Sequence, residues 1–484
     1  MIESWLPAAP VLISLGAGLL LLAVRGRTAQ VLVSLLACLL TLVCSAGLTQ
    51  LTADGSILSH SMGGWKAPFG IVMVADRLGA WMSVLAALSA LLATLQAAMT
   101  PDRVREKYWL FALMQLLFAG VQMSFLTGDL FNLFVAFEVM LVASYALAVL
   151  GSTREQLREG FRYIVMNLVA SALLVVTCGL IYGLLGTLNM AHLAQRSMEL
   201  GPQATVTIFS LLLMLVFASK AALFPLGFWL PGTYPAVPPA VGAFFAAILT
   251  KVGVYALLRT FGTMFAEEAG AAQASLLLLG TVTMLYGALG MVSQREWRRI
   301  LAFAVMASVG YLAFGLGLGT PAALQATLYY LGVSVMVTTA FFLLAHVAER
   351  ISGTPLVAAR GLLESQPLLA AAYLLCALTL AGLPPTAGFI AKYALVRAGL
   401  EQGTPLALAG TVSALLSSLV MLYALLYIWR TYFWGQRSPE RPPESEFARA
   451  PAHLPGCGVG AGPKRRCGAA AGLERSSRRR AGQP

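Results

Sequence analysis

Residues 128–151 have the sequence GDLFNLFVAFEVMLVASYALAVLG. Beyond its first positions this stretch is apolar for about 20 residues, the length that an α-helix needs to cross roughly 30 Å of hydrocarbon. One ionisable side chain, Glu138, stands in the middle of it. A charge at bilayer depth costs about 2.5 to 3.5 kcal/mol on insertion scales, and such residues generally serve transport or proton transfer. The stretch therefore predicts a membrane-spanning helix that carries a functional carboxylate.

Three lysines repeat this situation, because Lys220, Lys251 and Lys392 also lie inside long apolar runs. Together the four residues cost roughly 10 to 14 kcal/mol, comparable to the net stability of a whole domain. The bland alternative for Glu138 and Lys220 is a static buried pair that fixes helix packing, but such pairs add little stability. We therefore predict a path for protons or ions, with the charges facing one another or water inside a helical bundle.

Composition places the whole chain in the membrane, since hydrophobic residues make up 59%, charged residues 11%, and the mean hydropathy is +0.80. Apolar windows of about 20 residues predict an all-α polytopic protein, because the strands of a barrel would be shorter. The thirteen predicted spans are approximately 5–24, 29–51, 78–99, 107–127, 129–150, 161–186, 205–230, 238–262, 272–292, 299–318, 321–347, 367–400 and 405–434. The first run lacks a basic leader and a cleavage site, so no cleavable signal peptide is expected.

The net charge of +12 could suggest a nucleic-acid partner, but its distribution argues against one. Residues 437–484 hold ten Lys or Arg and four acids, which is half of the net charge. The other basic residues concentrate in alternate loops, on the side that carries Arg25, Arg27, Arg103, Arg105, Lys107, Arg154, Arg158, Arg162, Arg295, Arg298, Arg299, Arg350 and Arg360. The positive-inside bias makes this side cytoplasmic. We expect a multi-pass protein of the cell (inner) membrane with its N-terminus outside and its C-terminal tail inside.

Cysteine and histidine offer no cofactor site. The six cysteines lack metal-ligand spacing, and four lie within apolar segments as small hydrophobes. The four histidines are scattered at positions 60, 192, 346 and 453, without a pair for haem or a metal centre. We therefore expect no metal and no cofactor.

Prolines interrupt two of the predicted helices. Pro225 follows Lys220 in the seventh span, and Pro384 and Pro385 precede Lys392 in the twelfth. An interior proline cannot bond to the carbonyl four residues back, which frees the carbonyls of Ala221, Leu380 and Ala381. A freed carbonyl is tolerated within a membrane where water or protein satisfies it. Each break predicts a small polar, hydrated pocket near a buried lysine.

The two breaks lie five helices apart, which suggests two repeats. Helices 4–8 (about 107–262) and 9–13 (272–434) would each contain one broken helix, and an odd number of spans makes the repeats inverted in the membrane. We predict one transmembrane domain over 1–434. Residues 435–484 are rich in Gly, Pro and Arg and form a predicted disordered basic tail.

Three stretches carry a family resemblance: residues 128–151, residues 219–261 (SKAALFPLGFWLPGTYPAVPPAVGAFFAAILTKVGVYALLRTF) and residues 295–315 (REWRRILAFAVMASVGYLAFG). In this order they closely resemble the D-type (MrpD) family of subunits of the Mrp-type multisubunit Na+/H+ antiporters, over roughly residues 1–434. That family is similar to the antiporter-like, proton-pumping membrane subunits of respiratory complex I.

The resemblance implies a charge axis in the membrane plane formed by Glu138, Lys220, Lys251 and Lys392, with protons passing between them through water. It implies a secondary transporter subunit, not an enzyme, which exchanges Na+ for H+ under the proton-motive force. The expected partners are the other Mrp subunits and membrane lipid.

The sequence departs from the family pattern between the charged residues. Gly227 stands where relatives usually have a histidine, and Val333 and Thr338 stand where many have histidine and lysine. Water together with Thr338 or Ser334 would therefore have to bridge Lys251 and Lys392. Relatives also have a fourteenth helix where this chain has its basic tail.

Other polar residues have simpler interpretations. Asp129 is expected to cap a helix start. Arg154, Arg158 and Arg162 flank Glu155 and Glu159 in what is predicted to be a short, solvated loop. His346 lies near a cytoplasmic helix end, where a role in proton uptake is an open alternative to a structural one.

Two other functions are alternatives to antiport. A proton-pumping subunit of a complex I-like redox complex would carry the same buried charges, and the FNLFVAFEVML motif favours the antiporter instead. A membrane-embedded transferase would want an acidic metal-binding pair, and the sequence has no DxxD or similar cluster.

Overall fold

The computed structural model describes residues 5–201, 203–357 and 361–434. The predicted basic tail lies outside these residues. In chain order the helices are α1 (Ala9–Ala23), α2 (Arg27–Leu51), α3 (Arg77–Met99), α4 (Arg103–Lys107), α5 (Leu110–Leu126), α6 (Leu130–Val149), α7 (Arg154–Leu185), α8 (Met190–Leu200), α9 (Ala204–Lys220), α10 (Leu230–Ala236), α11 (Pro239–Met264), α12 (Ala269–Ser293), α13 (Trp297–Leu318), α14 (Pro321–Ser352), α15 (Leu362–Ser365), α16 (Pro367–Ala381), α17 (Ala387–Gln402) and α18 (Pro405–Phe433).

Polar caps and glycines set the ends of many of these helices. Asp129 accepts a hydrogen bond from the Asn132 N–H and begins α6, as expected from the sequence. The Thr153 hydroxyl and the Gln156 side chain form a reciprocal capping box at the start of α7. Gly353 ends α14 in the left-handed conformation, which glycine adopts without steric cost.

Nine helices in the described ranges are long and apolar enough to cross a membrane, and four apolar helices are shorter. A multi-pass helical membrane protein is therefore confirmed, whereas the count of thirteen spans and the inverted repeats stay predictions. The seventh and twelfth spans are each divided. Helix α9 ends at Lys220 and α10 begins at Leu230, while α16 ends at Ala381 and α17 begins at Ala387.

The prediction that Arg154 to Arg162 lie in a loop was wrong. Helix α7 begins at Arg154, seven residues before the expected start at 161, because Thr153 and Gln156 cap it there. Glu159 is 4% exposed instead of solvated, since the chain around Gly232 covers its carboxylate. Arg158 and Arg162 keep their guanidinium groups near water and both pair with Glu159.

Helices α11 and α13 form the centre of the bundle, because nearly all residues of their apolar windows are buried. Helices α2 and α7 lie at the periphery and expose large apolar side chains such as Leu32, Val43 and Leu168. Apolar residues on an outer face suit lipid or a neighbouring subunit. The lysines Lys220, Lys251 and Lys392 are at most 5% exposed, so they belong to the interior.

A small antiparallel hairpin lies at one end of the bundle and was not predicted. Strand β1 (Leu58–Ser61) pairs with β2 (Val72–Ala75), and Leu58 lies opposite Ala75. The chain around Gly128 extends this pairing, because its N–H donates to the Val72 carbonyl at 2.9 Å. The loops at this end are thus joined by backbone hydrogen bonds.

Helix α11 contacts α9 backbone to backbone at Gly253. A Cβ atom added to Gly253 would lie 2.5 Å from the Ala221 nitrogen and 2.9 Å from its Cα. No atom at the end of a flexible side chain could move aside there, so a glycine is required. This contact holds Lys251 beside the segment that begins at Lys220.

We expect Gly253→Ala to lower the stability of the protein by about 1–3 kcal/mol, because overpacking forces two helices apart. Gly179→Ala is the matched control, since Gly179 is also helical but a Cβ there meets nothing within 4 Å. The measurement is the thermal unfolding of detergent-purified protein. Equal unfolding temperatures for the two variants would contradict the close approach of α9 and α11.

Candidate functional site

Lys220 is the last residue of α9 and lies at the first helix break. Its Nζ donates to Ser171 Oγ on α7 at 3.1 Å and lies 4.6 Å from the ring centroid of Phe137 on α6. The C-terminal end of a helix carries unpaired carbonyls and a partial negative charge, which favours a cation. The chain then turns at Ala222, whose φ of 63° is unusual for a residue other than glycine. A charged ammonium is thus accommodated without a carboxylate in contact.

Glu138 is half-buried on α6, directly after Phe137. It lies within electrostatic range of Lys220. Within the described residues it makes no ion pair at 4.0 Å or less, so the static Glu138–Lys220 pair, the alternative to a proton path, is not formed in this structure. The Phe137 ring contacts the Lys220 ammonium instead. One carboxylate oxygen, Glu138 Oε1, is buried without a partner in the same part of the chain, which favours an internal water there.

Lys251 lies in the centre of α11 and is 0% exposed. Its Nζ donates to the Ala246 carbonyl at 2.9 Å, five residues earlier on the same helix. Ala246 belongs to a π-helical segment, Phe245–Leu249. Such segments are frequent at functional sites because they alter the regular backbone hydrogen bonds. The sequence predicted the lysine but not the π-helical segment that receives it.

Lys392 lies on α17 and reaches back to the second helix break. Its Nζ donates to the carbonyls of Leu380 at 2.8 Å and Ala381 at 3.3 Å, and to Ser418 Oγ at 3.1 Å. Leu380 and Ala381 are the residues whose carbonyls the two prolines were expected to free. The lysine itself is a donor to these carbonyls, and the hydrated pocket expected beside it stays a prediction. The Tyr311 ring centroid lies 4.5 Å from the same ammonium.

The structure places polar groups beside Lys392 and on α14 that sequence reasoning missed. Tyr311 lies against Lys392 and 5.5 Å, centroid to centroid, from Tyr330 of α14, whose hydroxyl donates to Ser308 Oγ at 3.2 Å. Two sequence features could have indicated these groups: Tyr311 within the apolar stretch VGYLAFG, and polar residues spaced by one turn along α14.

Ser334 and Thr338 were expected to bridge Lys251 and Lys392. On α14, Ser334 follows Tyr330 by one turn, and Thr338 follows Ser334 by one more. Both are buried. The Ser334 hydroxyl and His346 Nε2 are buried atoms without a hydrogen-bond partner in the described residues. His346 lies two further turns along the same helix, within electrostatic range of Arg298 and Arg350.

The structure gives a steric reason why position 227 is a glycine. A Cβ atom at this position would lie 2.2 Å from the Ala222 carbonyl oxygen. The tight turn after Lys220 therefore leaves no room for the histidine that the family pattern led us to expect at this position. The absence of an imidazole at position 227 is therefore a consequence of the close approach between Gly227 and Ala222.

Two ion pairs fasten the ends of the central helices. Arg259 donates to both carboxylate oxygens of Asp76, at 2.7 and 2.5 Å. Burial would raise the pKa of Asp76, but the guanidinium and the Gly79 N–H outweigh it and hold this pKa below its usual value. Stability from a lowered carboxylate pKa is present at neutral pH and is lost as the pH falls through that pKa. At the opposite end Arg298 binds Glu349 and the Pro235 carbonyl.

Comparison with known proteins places these residues in a defined family. A model of the NADH:quinone oxidoreductase/Mrp antiporter transmembrane family matches residues 127–417. The chain is 40% identical over 430 residues to the D-type subunit of the Na(+)/H(+) antiporter of Alkalihalophilus pseudofirmus. The match covers 88% of this chain and 87% of that protein.

Solved structures agree on the fold. A chain of the Mrp complex from Dietzia sp. DQ12-45-1b superposes with a TM-score of 0.83 at 32% identity, covering 91% of this chain and 82% of that one. A chain of respiratory complex I from Thermus thermophilus superposes with a TM-score of 0.78 at 27% identity, covering 92% of each chain.

Proposed function

Since the chain belongs to the NADH:quinone oxidoreductase/Mrp antiporter transmembrane family, we propose that it is the D-type subunit of a multisubunit Na+/H+ antiporter. It moves protons through Glu138, Lys220, Lys251 and Lys392, in exchange for Na+. The observation that carries the proposal is that all three lysines are buried, and the Lys220, Lys251 and Lys392 ammonium groups bind only carbonyls, hydroxyls, rings and a sulfur in the described residues.

The chemistry follows from those contacts. A buried ammonium that is held by neutral groups can lose its proton to water without stranding a paired carboxylate. Helix ends and freed carbonyls stabilise the charged form, while the apolar surroundings favour the neutral form. Each lysine can therefore alternate between the two states. Moving one charge across the membrane is worth about 2.3 kcal/mol per 100 mV, so exchange of more protons than sodium ions makes extrusion depend on the potential.

The architecture we propose has thirteen spans and two inverted repeats, 107–262 and 272–434. In support, Lys220 ends the first half of one broken helix, and Lys392 bonds to the last carbonyls of the first half of the other. Lys220 precedes its break in the chain and Lys392 follows its own, yet Lys220 and the Lys392 ammonium both lie at the C-terminal end of the first half of a broken helix. The N-terminus lies outside the cell and the basic tail, residues 435–484, inside, in the cell (inner) membrane.

Between the repeats, protons pass along α13 and α14. The groups in position are Tyr311 beside Lys392, then Tyr330, Ser334 and Thr338 toward α11. Internal water joins them, since the buried Ser334 and Thr250 hydroxyls have no partner among the described residues. His346 can take up protons from the end of α14.

The second candidate is a proton-pumping subunit of a complex I-like redox complex, which the fold likeness to complex I favours. The test uses inverted vesicles from an antiporter-deficient host that expresses this chain with the other Mrp subunits. With an imposed ΔpH, added Na+ should collapse the gradient, and omission of this chain should abolish that response. Proton pumping that requires an electron donor and no response to Na+ would establish the second candidate.

A further inference from the structure

The buried face of α7 carries a regular series of polar side chains. Glu159, Tyr163, Asn167 and Ser171 follow one another at intervals of four residues, and their exposed fractions are 4%, 1%, 4% and 6%. Residues four apart lie on the same face of a helix. The opposite face is apolar and exposed, as Phe161 and Leu168 show. We call the four polar residues the α7 ladder.

The two ends of the α7 ladder have different surroundings. Ser171 Oγ accepts the hydrogen bond from Lys220 Nζ at 3.1 Å. Glu159, at the other end, binds Arg158 at 2.8 Å and Arg162 at 3.2 Å, and these arginine side chains are 62% and 56% exposed. The ladder therefore connects a buried lysine with the arginine-bearing surface of the protein.

The packing beside the ladder leaves hydrogen-bonding groups free. The Tyr163 ring lies 5.2 Å from that of Trp229, which lies 5.9 Å from that of Tyr234. Trp229 Nε1 and the Tyr234 hydroxyl are buried and have no partner among the residues described. Buried donors of this kind are normally satisfied by ordered water. Water beside Tyr163 would fill this need.

The spacing suits a chain of single waters. Side chains four residues apart on a helix are separated by about 5–6 Å, roughly two hydrogen bonds in length. The alternative to a water chain is a structural role, in which the polar side chains hydrogen-bond to neighbouring helices. Asn167 does not fit it, because in the described residues its amide donates to the Tyr163 carbonyl of its own helix. Glu159, Tyr163 and Ser171 do contact other elements, so Asn167 distinguishes the two explanations.

We propose that the α7 ladder is the path by which protons move between the arginine-bearing surface and Lys220, with Glu159 as its outer carboxylate. This inference rests on the proposed function, in which Lys220 carries protons. Protons pass from Glu159 through water and the Tyr163 hydroxyl to the Asn167 and Ser171 positions. Each transfer along the ladder moves one proton between oxygen atoms of water and side chains, and the last transfer exchanges it with the Lys220 Nζ nitrogen, so no further reactant is needed.

The transport test uses variants of the full antiporter complex in inverted vesicles. Tyr163→Phe and Glu159→Gln should each slow Na+-dependent collapse of ΔpH by about 100-fold or more, the lower end of the range for loss of a positioned proton-transfer group. Tyr182→Phe and Glu199→Gln are the matched controls, because Tyr182 is exposed near the far end of α7 and Glu199 is an exposed glutamate on α8. Their rates should stay within about twofold of the parent.

Labelling separates a path from a structural role. Asn167→Cys, in a chain whose own cysteines are replaced by serine or alanine, should react with a small membrane-impermeant thiol reagent added at the arginine-bearing face. Slow transport without labelling would overturn the proposal in favour of simple packing. If Tyr163→Phe and Glu159→Gln transport at the normal rate while Lys220→Ala is inactive, the α7 ladder is not the proton path, and the proposed function still stands. Normal transport by Lys220→Ala itself would instead overturn the proposed function.

Discussion

Lys220→Ala is expected to abolish Na+/H+ exchange while the chain still inserts into the membrane and assembles. The ammonium at the end of α9 is the group that binds Ser171 and lies over Phe137 near Glu138, and no neighbouring cation replaces it among the described residues. Loss of a proton carrier removes the step itself, so exchange should fall by about 100-fold or more. Stability should change little, because one hydroxyl contact is lost and one buried charge is relieved.

The measurement is growth of an antiporter-deficient host in high salt, together with Na+-dependent collapse of ΔpH in inverted vesicles. Lys107→Ala is the matched control, since Lys107 is an exposed lysine at the end of α4. Full sodium resistance with Lys220→Ala would sink the claim that this lysine carries protons.

Glu138 extends the same prediction. Glu138→Ala should also abolish exchange, and Glu138→Asp should retain part of it, because the shorter carboxylate keeps the charge that acts on Lys220. Glu199→Ala, an exposed glutamate on α8, is the control. Wild-type exchange by Glu138→Ala would remove the carboxylate from the path and leave the lysines alone.

Much of this organisation was predictable because charges and prolines are expensive inside a membrane. The sequence predicts two interrupted helices from Lys220, Lys392 and the prolines near them. In the structure α9 and α16 end at those places. The carbonyls of Leu380 and Ala381 could be named from proline geometry alone. That Lys392 itself bonds to them could not, since this depends on how α17 folds back toward α16.

Tertiary contacts explain what was missed. The sequence pattern predicts a solvated Glu159, because charged positions beside an apolar run usually lie in a loop. It is buried because the chain at Gly232 packs against it, a contact between residues 73 positions apart. The four-residue spacing of Glu159, Tyr163, Asn167 and Ser171 was visible, but its meaning required the Lys220–Ser171 contact. The hairpin and the π-helical segment at Ala246 left no comparable pattern in the sequence.

Lys392 should respond differently from Lys220, because it fills a structural as well as a chemical role. Its Nζ supplies the donors for the Leu380 and Ala381 carbonyls and for Ser418 Oγ. Lys392→Ala leaves both buried carbonyls without that donor, and an unsatisfied buried acceptor costs about 1–3 kcal/mol. We therefore expect Lys392→Ala both to abolish exchange and to lower the unfolding temperature of the purified complex.

Lys392→Gln separates the two roles. A glutamine amide offers two N–H donors to the same carbonyls, yet it does not take up and release a proton. This variant should recover most of the stability lost in Lys392→Ala and should still fail to exchange Na+ for H+. Ser418→Ala, which removes one contact but keeps the amine, should transport at a rate within about tenfold of the parent. Rapid exchange by Lys392→Gln would show that the second break needs a hydrogen-bond donor and not a proton carrier, and the charge axis would then end at Lys251.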